Sequence, residues 1–213
     1  MGHLVLLGDS TLDNLAYVRG GPAVIEQVRD HLPGGWTASL LAVDGARIDG
    51  VPRQLDRLPE DASHLALSIG GNDLLAESGV LEKPAGSVGA GLLLLAEVRD
   101  RFEAAYAGLL QRVMATGLPL VVCTVYEPRP PDAIQRRATA TAVGLFDDVI
   151  VRSARRAGVP VLDLRAVCSG DADFANPIEP SSAGGDKIAR HLVEIALRHD
   201  FGGRRAVVYP SPG

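Results

Sequence analysis

Short apolar runs that alternate with longer helix-like stretches predict an α/β fold, a three-layer α/β/α sandwich on a five-stranded, mostly parallel sheet. Two further observations support it. Helical periodicity fills the spaces between the runs, so neighbouring strands need crossover connections and pair in parallel. The first three runs also end in turn residues, Gly8-Asp9, Asp44-Gly45 and Gly70-Gly71, which puts those turns at one edge of the sheet.

Taken in order, Leu4 to Leu7 reads as a buried strand, followed by a helical stretch over 21–32 that stops at Pro33-Gly34. Thr37 to Val43 is the second strand and Gln54–Leu58 a short helix. His64 to Ile69 is the third strand. Val88 to Thr116 carries helical spacing, with Leu92, Leu95, Phe102, Tyr106, Leu109, Leu110 and Val113 on one broad face. Leu118 to Thr124 is the Val-rich fourth strand, 132–157 a helix with Gly158 as its stop, Val159 to Leu162 the fifth strand, and Ser182 to Arg198 the last helix. The order is flavodoxin-like, with a ligand site expected at the carboxyl ends of the strands. One domain covers residues 1–200. The tail, 201–213, holds a possible extra strand at 206–209 and the turn residues Pro210 and Pro212.

Composition excludes several functions. A formal charge of −5 and scattered arginine pairs give no basic face for nucleic acid. The apolar N-terminus lacks a basic leader and ends at Gly8-Asp9, so it reads as a strand rather than a targeting segment. The longest charge-free runs fall short of a membrane span. Cys123 and Cys168 have no metal-ligand spacing and read as reduced core thiols, which points to a cytoplasmic protein. Asp147-Asp148 lies in a helix without a partner histidine, so no metal is expected, and no phosphate or dinucleotide fingerprint calls for an organic cofactor.

The chemistry gathers at the strand ends. Ser10 follows the first strand at a sharp turn, where its hydroxyl projects above the sheet edge. An acyl-transfer site also needs donors for the oxyanion of its tetrahedral intermediate, and the Ser10 N–H, Gly45 N–H and Asn72 side-chain amide are candidates from three strand ends. Each alone also fits an ordinary turn; together they point to a nucleophile with its oxyanion hole. With these residues the chain resembles the SGNH/GDSL hydrolases. Gly8-Asp9-Ser10 matches their first block, Gly45 the second, Gly71-Asn72-Asp73 the third, and the segment 176–184 the fifth. The resemblance spans 3 to about 198 and implies a serine esterase or lipase acting on a small-molecule ester, with Ser10 as nucleophile.

The fifth block departs from the family's Asp-x-x-His-Pro, carrying Asn176 and Glu179 where the orienting acid and the histidine base stand. No other histidine replaces the base. His3 and His64 open their strands, His64 roughly 16 Å of extended chain from the catalytic end; His31 and His199 are remote, and His191 lies about 14 Å along a helix from Ser182. Three readings follow. Glu179 is itself the base, with Asn176 donating a hydrogen bond to it and activity reaching lower pH than a histidine base allows. Alternatively hydrolysis is weakened and the cleft binds a ligand, or a substrate group or mobile side chain supplies the base. Asp9 is expected to hold the nucleophile turn, and Asp9, Asp13, Asn14, Tyr126 and Asn176 are the candidate substrate contacts.

Overall fold

In the computed structural model, which describes residues 1–210, every strand of the main sheet is parallel. The elements are β1 (Gly2–Gly8), α1 (Val24–His31), β2 (Trp36–Leu40), α2 (Val51–Leu55), β3 (His64–Ser68), α3 (Gly71–Glu77), α4 (Val88–Met114), β4 (Leu120–Cys123), α5 (Ala133–Ala157), β5 (Val161–Leu162), α6 (Leu164–Val167), β6 (Phe174–Asn176), β7 (Glu179–Pro180), α7 (Ser182–Arg198) and β8 (Val208–Tyr209). The sheet has six strands in the order β2-β1-β3-β4-β5-β8, not five. The sixth comes from the tail, where Val208 and Tyr209 pair with Val161 and Leu162 and so cover the edge of β5. Pro212, expected in a turn, lies outside the described residues. The predicted three-layer α/β/α sandwich is otherwise the architecture observed.

Strand alternation sorts the core. Leu4 and Leu6 of β1 face one layer with α1 and α7, through Val24, Val28, Ile188 and Leu192. Val5 and Leu7 face the other, with α2, α4 and α5, through Val51, Phe102, Val113 and Ile150. The cysteines are buried and free, Cys123 in the first layer. Leu92, expected on the inner face of α4, is instead exposed. The long helices begin at side-chain caps: Ser87 accepts from the Ala90 N–H, Asp132 from Gln135 and Ser181 from Gly184. Among the described residues no helix is long and apolar enough to cross a membrane.

Two features aim the strand ends. Gly8 has φ +126°, and a Cβ there would stand 1.7 Å from the Ser68 carbonyl oxygen, so only glycine lets β1 turn this close to β3. Between β6 and β7 an antiparallel turn pairs Asn176 with Glu179, and this turn swings Glu179 over the C-terminal edge of the sheet.

Candidate active site

The nucleophile turn is built from backbone bonds at the end of β1. The Asp9 N–H donates to Ser68 O at 3.0 Å, and the N–H groups of Leu12 and Asp13 return to Asp9 O. Gln54, which sequence reasoning missed, clamps the preceding peptide. Its Oε1 accepts from the Gly8 N–H and its Nε2 donates to Gly8 O, both at 2.8 Å. A glutamine on a short helix carries no local signal of this role; only the fold brings it to β1.

Ser10 and Glu179 meet. The Ser10 hydroxyl donates to Glu179 Oε1 at 3.0 Å, with both residues buried. Glu179 Oε2 is buried and has no hydrogen-bond partner among the described residues. Burial, foremost, pushes the carboxyl from 4.5 up to about 7; the Ser10 hydrogen bond opposes the shift, while Asp44 and Asp9 add to it. The direction of this shift runs against the expectation that a glutamate at this position would work at lower pH than a histidine. Desolvation moves this group into the histidine range.

Three contacts fix the Glu179 backbone. Tyr126 donates its hydroxyl to Ile178 O at 2.5 Å, Asn14 Nδ2 donates to Pro180 O at 3.3 Å, and the Ser181 N–H donates to Asp173 O at 2.9 Å. These contacts revise two of the expected substrate contacts. Asn14 is fully buried, and its Oδ1 accepts from the Val24 N–H at the start of α1, so it positions rather than binds. Asn176 does not reach Glu179 either. Its Oδ1 accepts from the Ile178 N–H at 2.9 Å, a local bond within the β6–β7 turn. Tyr126 does line the cleft, but its hydroxyl is already engaged.

Asp13 also acts through its neighbours: its Oδ2 accepts from the Asp44 N–H at 3.0 Å and holds the turn that carries Gly45. Gly45 is exposed with φ +75°; a Cβ would meet nothing within 4 Å, so the backbone conformation and not space selects glycine. Asn72, in the first turn of α3, donates Nδ2 to Ala46 O at 3.0 Å and so ties its amide to the Gly45 turn. The second Nδ2 hydrogen is left for a ligand. The Ser10 and Gly45 N–H groups donate to no protein acceptor among the described residues. Asp9 is buried at the cleft, accepts from the Thr11 N–H at 3.1 Å, and is pushed by burial from 3.8 up to about 7.

The five histidines are elsewhere. His3 bonds Asp61 and Ser39, His31 bonds Asp186, His64 bonds Ser63, His199 bonds Tyr209, and His191 lies beside Glu194. None lines the open cleft that Asp9, Ser10, Asn72 and Glu179 face.

The model of the GDSL-like Lipase/Acylhydrolase family matches residues 6–187. No curated protein matches the sequence. Solved structures with the same fold include phospholipase A1 from Streptomyces albidoflavus NA297, at 18% identity over 91% of this chain and 98% of that one, TM-score 0.66. A member of the lipolytic protein G-D-S-L family from Veillonella parvula DSM 2008 is 14% identical over 93% and 100% of the two chains, TM-score 0.67. The native M. smegmatis aryl esterase is 13% identical over 92% and 99%, TM-score 0.65. At such identities the likeness is one of fold.

Proposed function

The chain belongs to the GDSL-like Lipase/Acylhydrolase family, and on that premise we propose that it hydrolyses a carboxylic ester through an acyl-enzyme on Ser10, with Glu179 as the base. The observation that carries the reading is the 3.0 Å hydrogen bond from the Ser10 hydroxyl to a carboxylate whose pKa is raised to about 7. A carboxylate poised near neutral pH accepts the hydroxyl proton as Ser10 Oγ attacks the ester carbonyl. The negative charge that develops on the carbonyl oxygen is met by the Ser10 N–H, the Gly45 N–H and the free Asn72 Nδ2 hydrogen.

Collapse of the tetrahedral intermediate breaks the bond to the alcohol oxygen, which takes the proton from Glu179. Water then attacks the acyl-enzyme, gives one proton to Glu179, and a second collapse returns that proton to Ser10 as the acid leaves. Glu179 needs no orienting partner because a carboxylate has no tautomer to select, and the Tyr126, Asn14 and Ser181 contacts hold its backbone instead. Labelling with a fluorophosphonate followed by peptide mass mapping tests the assignment. The adduct is expected on Ser10; an adduct elsewhere, or none on a preparation that turns over esters, refutes it.

A further inference from the structure

α5 carries a carboxylic acid on a face that is otherwise hydrocarbon. Asp147 is fully buried on the same helix as the core residues Phe146, Ile150 and Ala154, and it does not line the cleft. A carboxyl group in such a place is costly unless polar neighbours satisfy it. Its Oδ1 accepts from the Val125 N–H at 2.8 Å. Arg165 Nε stands 3.4 Å from its Oδ2, but that N–H goes to Asp163 Oδ1 at 2.8 Å, and Arg165 Nη2 reaches Asp163 Oδ2 at 2.6 Å. Oδ2 itself has no hydrogen bond among the described residues. What Asp147 holds is the Val125 peptide.

That bond falls where the sheet runs out. β4 ends at Cys123, and Thr124 still donates its N–H to Leu162 O at 3.0 Å. β3, on the other side, ends at Ser68, so Asp147 supplies the acceptor that the Val125 N–H needs beyond the ladder. The next residue reaches towards the base. Tyr126 donates its hydroxyl to Ile178 O at 2.5 Å and sets its ring edge-on to Phe174, with centroids 5.3 Å apart. The Arg129 N–H donates to Pro177 O at 2.7 Å. The segment after β4 thus grips two consecutive carbonyls just before Glu179, whose Oε1 accepts from the Ser10 hydroxyl at 3.0 Å.

From this chain of contacts we infer that Asp147 is a positioning residue for Glu179: it anchors the Val125 peptide, which fixes Tyr126, and Tyr126 fixes the turn that holds the carboxylate against Ser10. The inference rests on the reading of Glu179 as the base. Misplacing a reacting group by about 1 Å costs about 10²-fold in rate, so a small displacement at Val125, passed on through Tyr126, is enough to matter. The role requires the acceptor atom and not the charge. Asparagine keeps Oδ1 for the Val125 N–H, and Arg165 stays paired with Asp163. Alanine leaves that N–H without its acceptor.

The test measures nitrophenyl acetate turnover and the rate of fluorophosphonate labelling at Ser10 in Asp147→Ala, Asp147→Asn and Glu179→Gln, each checked for folding by circular dichroism. Asp147→Ala should lower kcat and the labelling rate by about 10–10²-fold with KM within about threefold, and Asp147→Asn should keep both rates within about threefold of the parent. The double variant separates positioning from a general loss of structure. Once residue 179 cannot take a proton there is no base to misplace, so Asp147→Ala should cost less than about twofold in the Glu179→Gln background. A folded Asp147→Ala with parent rates, an equal loss in both backgrounds, or an Asp147→Asn as impaired as Asp147→Ala overturns the positioning role and leaves Glu179 as the base. If Asp147→Ala does not fold, Asp147→Ser, whose hydroxyl stops short of the Val125 N–H, takes its place. If neither folds while Asp147→Asn does, Asp147 serves the fold alone and the inference is overturned. Parent rates in Glu179→Gln refute the base itself, whatever Asp147 does.

Discussion

Replacing Glu179 by Gln separates its catalytic role from its effect on stability, because the two should change in opposite directions. The glutamine keeps Oε1 as acceptor for Ser10 but cannot take the proton, so kcat should fall by about 10²–10⁴, the usual contribution of a positioned base. Stability should rise. The folded pKa of about 7 lies above the ordinary 4.5, so between those values the folded state holds more protons than the unfolded one, and stability declines as pH rises through that window. Above pH 7 the full penalty applies. A displacement of about 2.5 pH units is about 3 kcal/mol at 1.36 kcal/mol per unit. Water reaching the carboxylate through the cleft and the burial of an unpaired amide N–H both reduce this, to about 1–2 kcal/mol. Urea denaturation at pH 8 should therefore show Glu179→Gln more stable than the parent, and at pH 4 the gain should vanish. A variant that is inactive but no more stable at pH 8 would refute the buried-anion account. One that keeps near-parent kcat would refute the base.

Asn72→Ala should lower kcat by about 10²–10³ with little change in KM, as loss of one oxyanion donor does, and steady-state kinetics on a single ester decides it. Gln54→Ala strips the Gly8 N–H of its side-chain acceptor and should destabilise the fold by about 1–3 kcal/mol in denaturant titration while lowering kcat, since the Ser10 turn starts at that peptide. Asn176→Asp should move the acidic limb of kcat/KM, expected near pH 7 in the parent, to higher pH; an unmoved limb would mean that Glu179 does not set it.

What the sequence revealed tracks how local each cause is. Strand–helix alternation and capping residues act over a few positions, so α5 was legible from Asp132 to Gly158 and α7 from Ser182 to Arg198. β8 was legible only as a possible strand at 206–209, since its two residues become one where β5 offers its edge. The same divide runs through the site. Ser10, Gly45 and Asn72 lie beside strand ends and turn glycines, which marks them as candidates from sequence alone. The Gln54 clamp on Gly8 and the Asn14 bond to Pro180 join residues 46 and 166 apart in the chain, and neither leaves a local mark. The Glu179 pKa follows the same divide. Sequence supplies the identity of a carboxylate, while burial sets its basicity.

Asn176 shows why the two departures in the fifth block make sense together even though these side chains do not touch. An aspartate at 176 would accept the Ile178 N–H as well as asparagine does, so the β6–β7 turn alone does not choose between them. Charge does choose. Positions 176 and 179 are cross-strand partners, and Glu179 already feels Asp44 and Asp9, each of which pushes its pKa upward. With a histidine at 179, one more anion there would stabilise the protonated base and be useful. With a glutamate it would drive the pKa above about 7 and leave less of the ionised base at neutral pH. With a carboxylate at 179, the neutral amide keeps the turn without adding that repulsion.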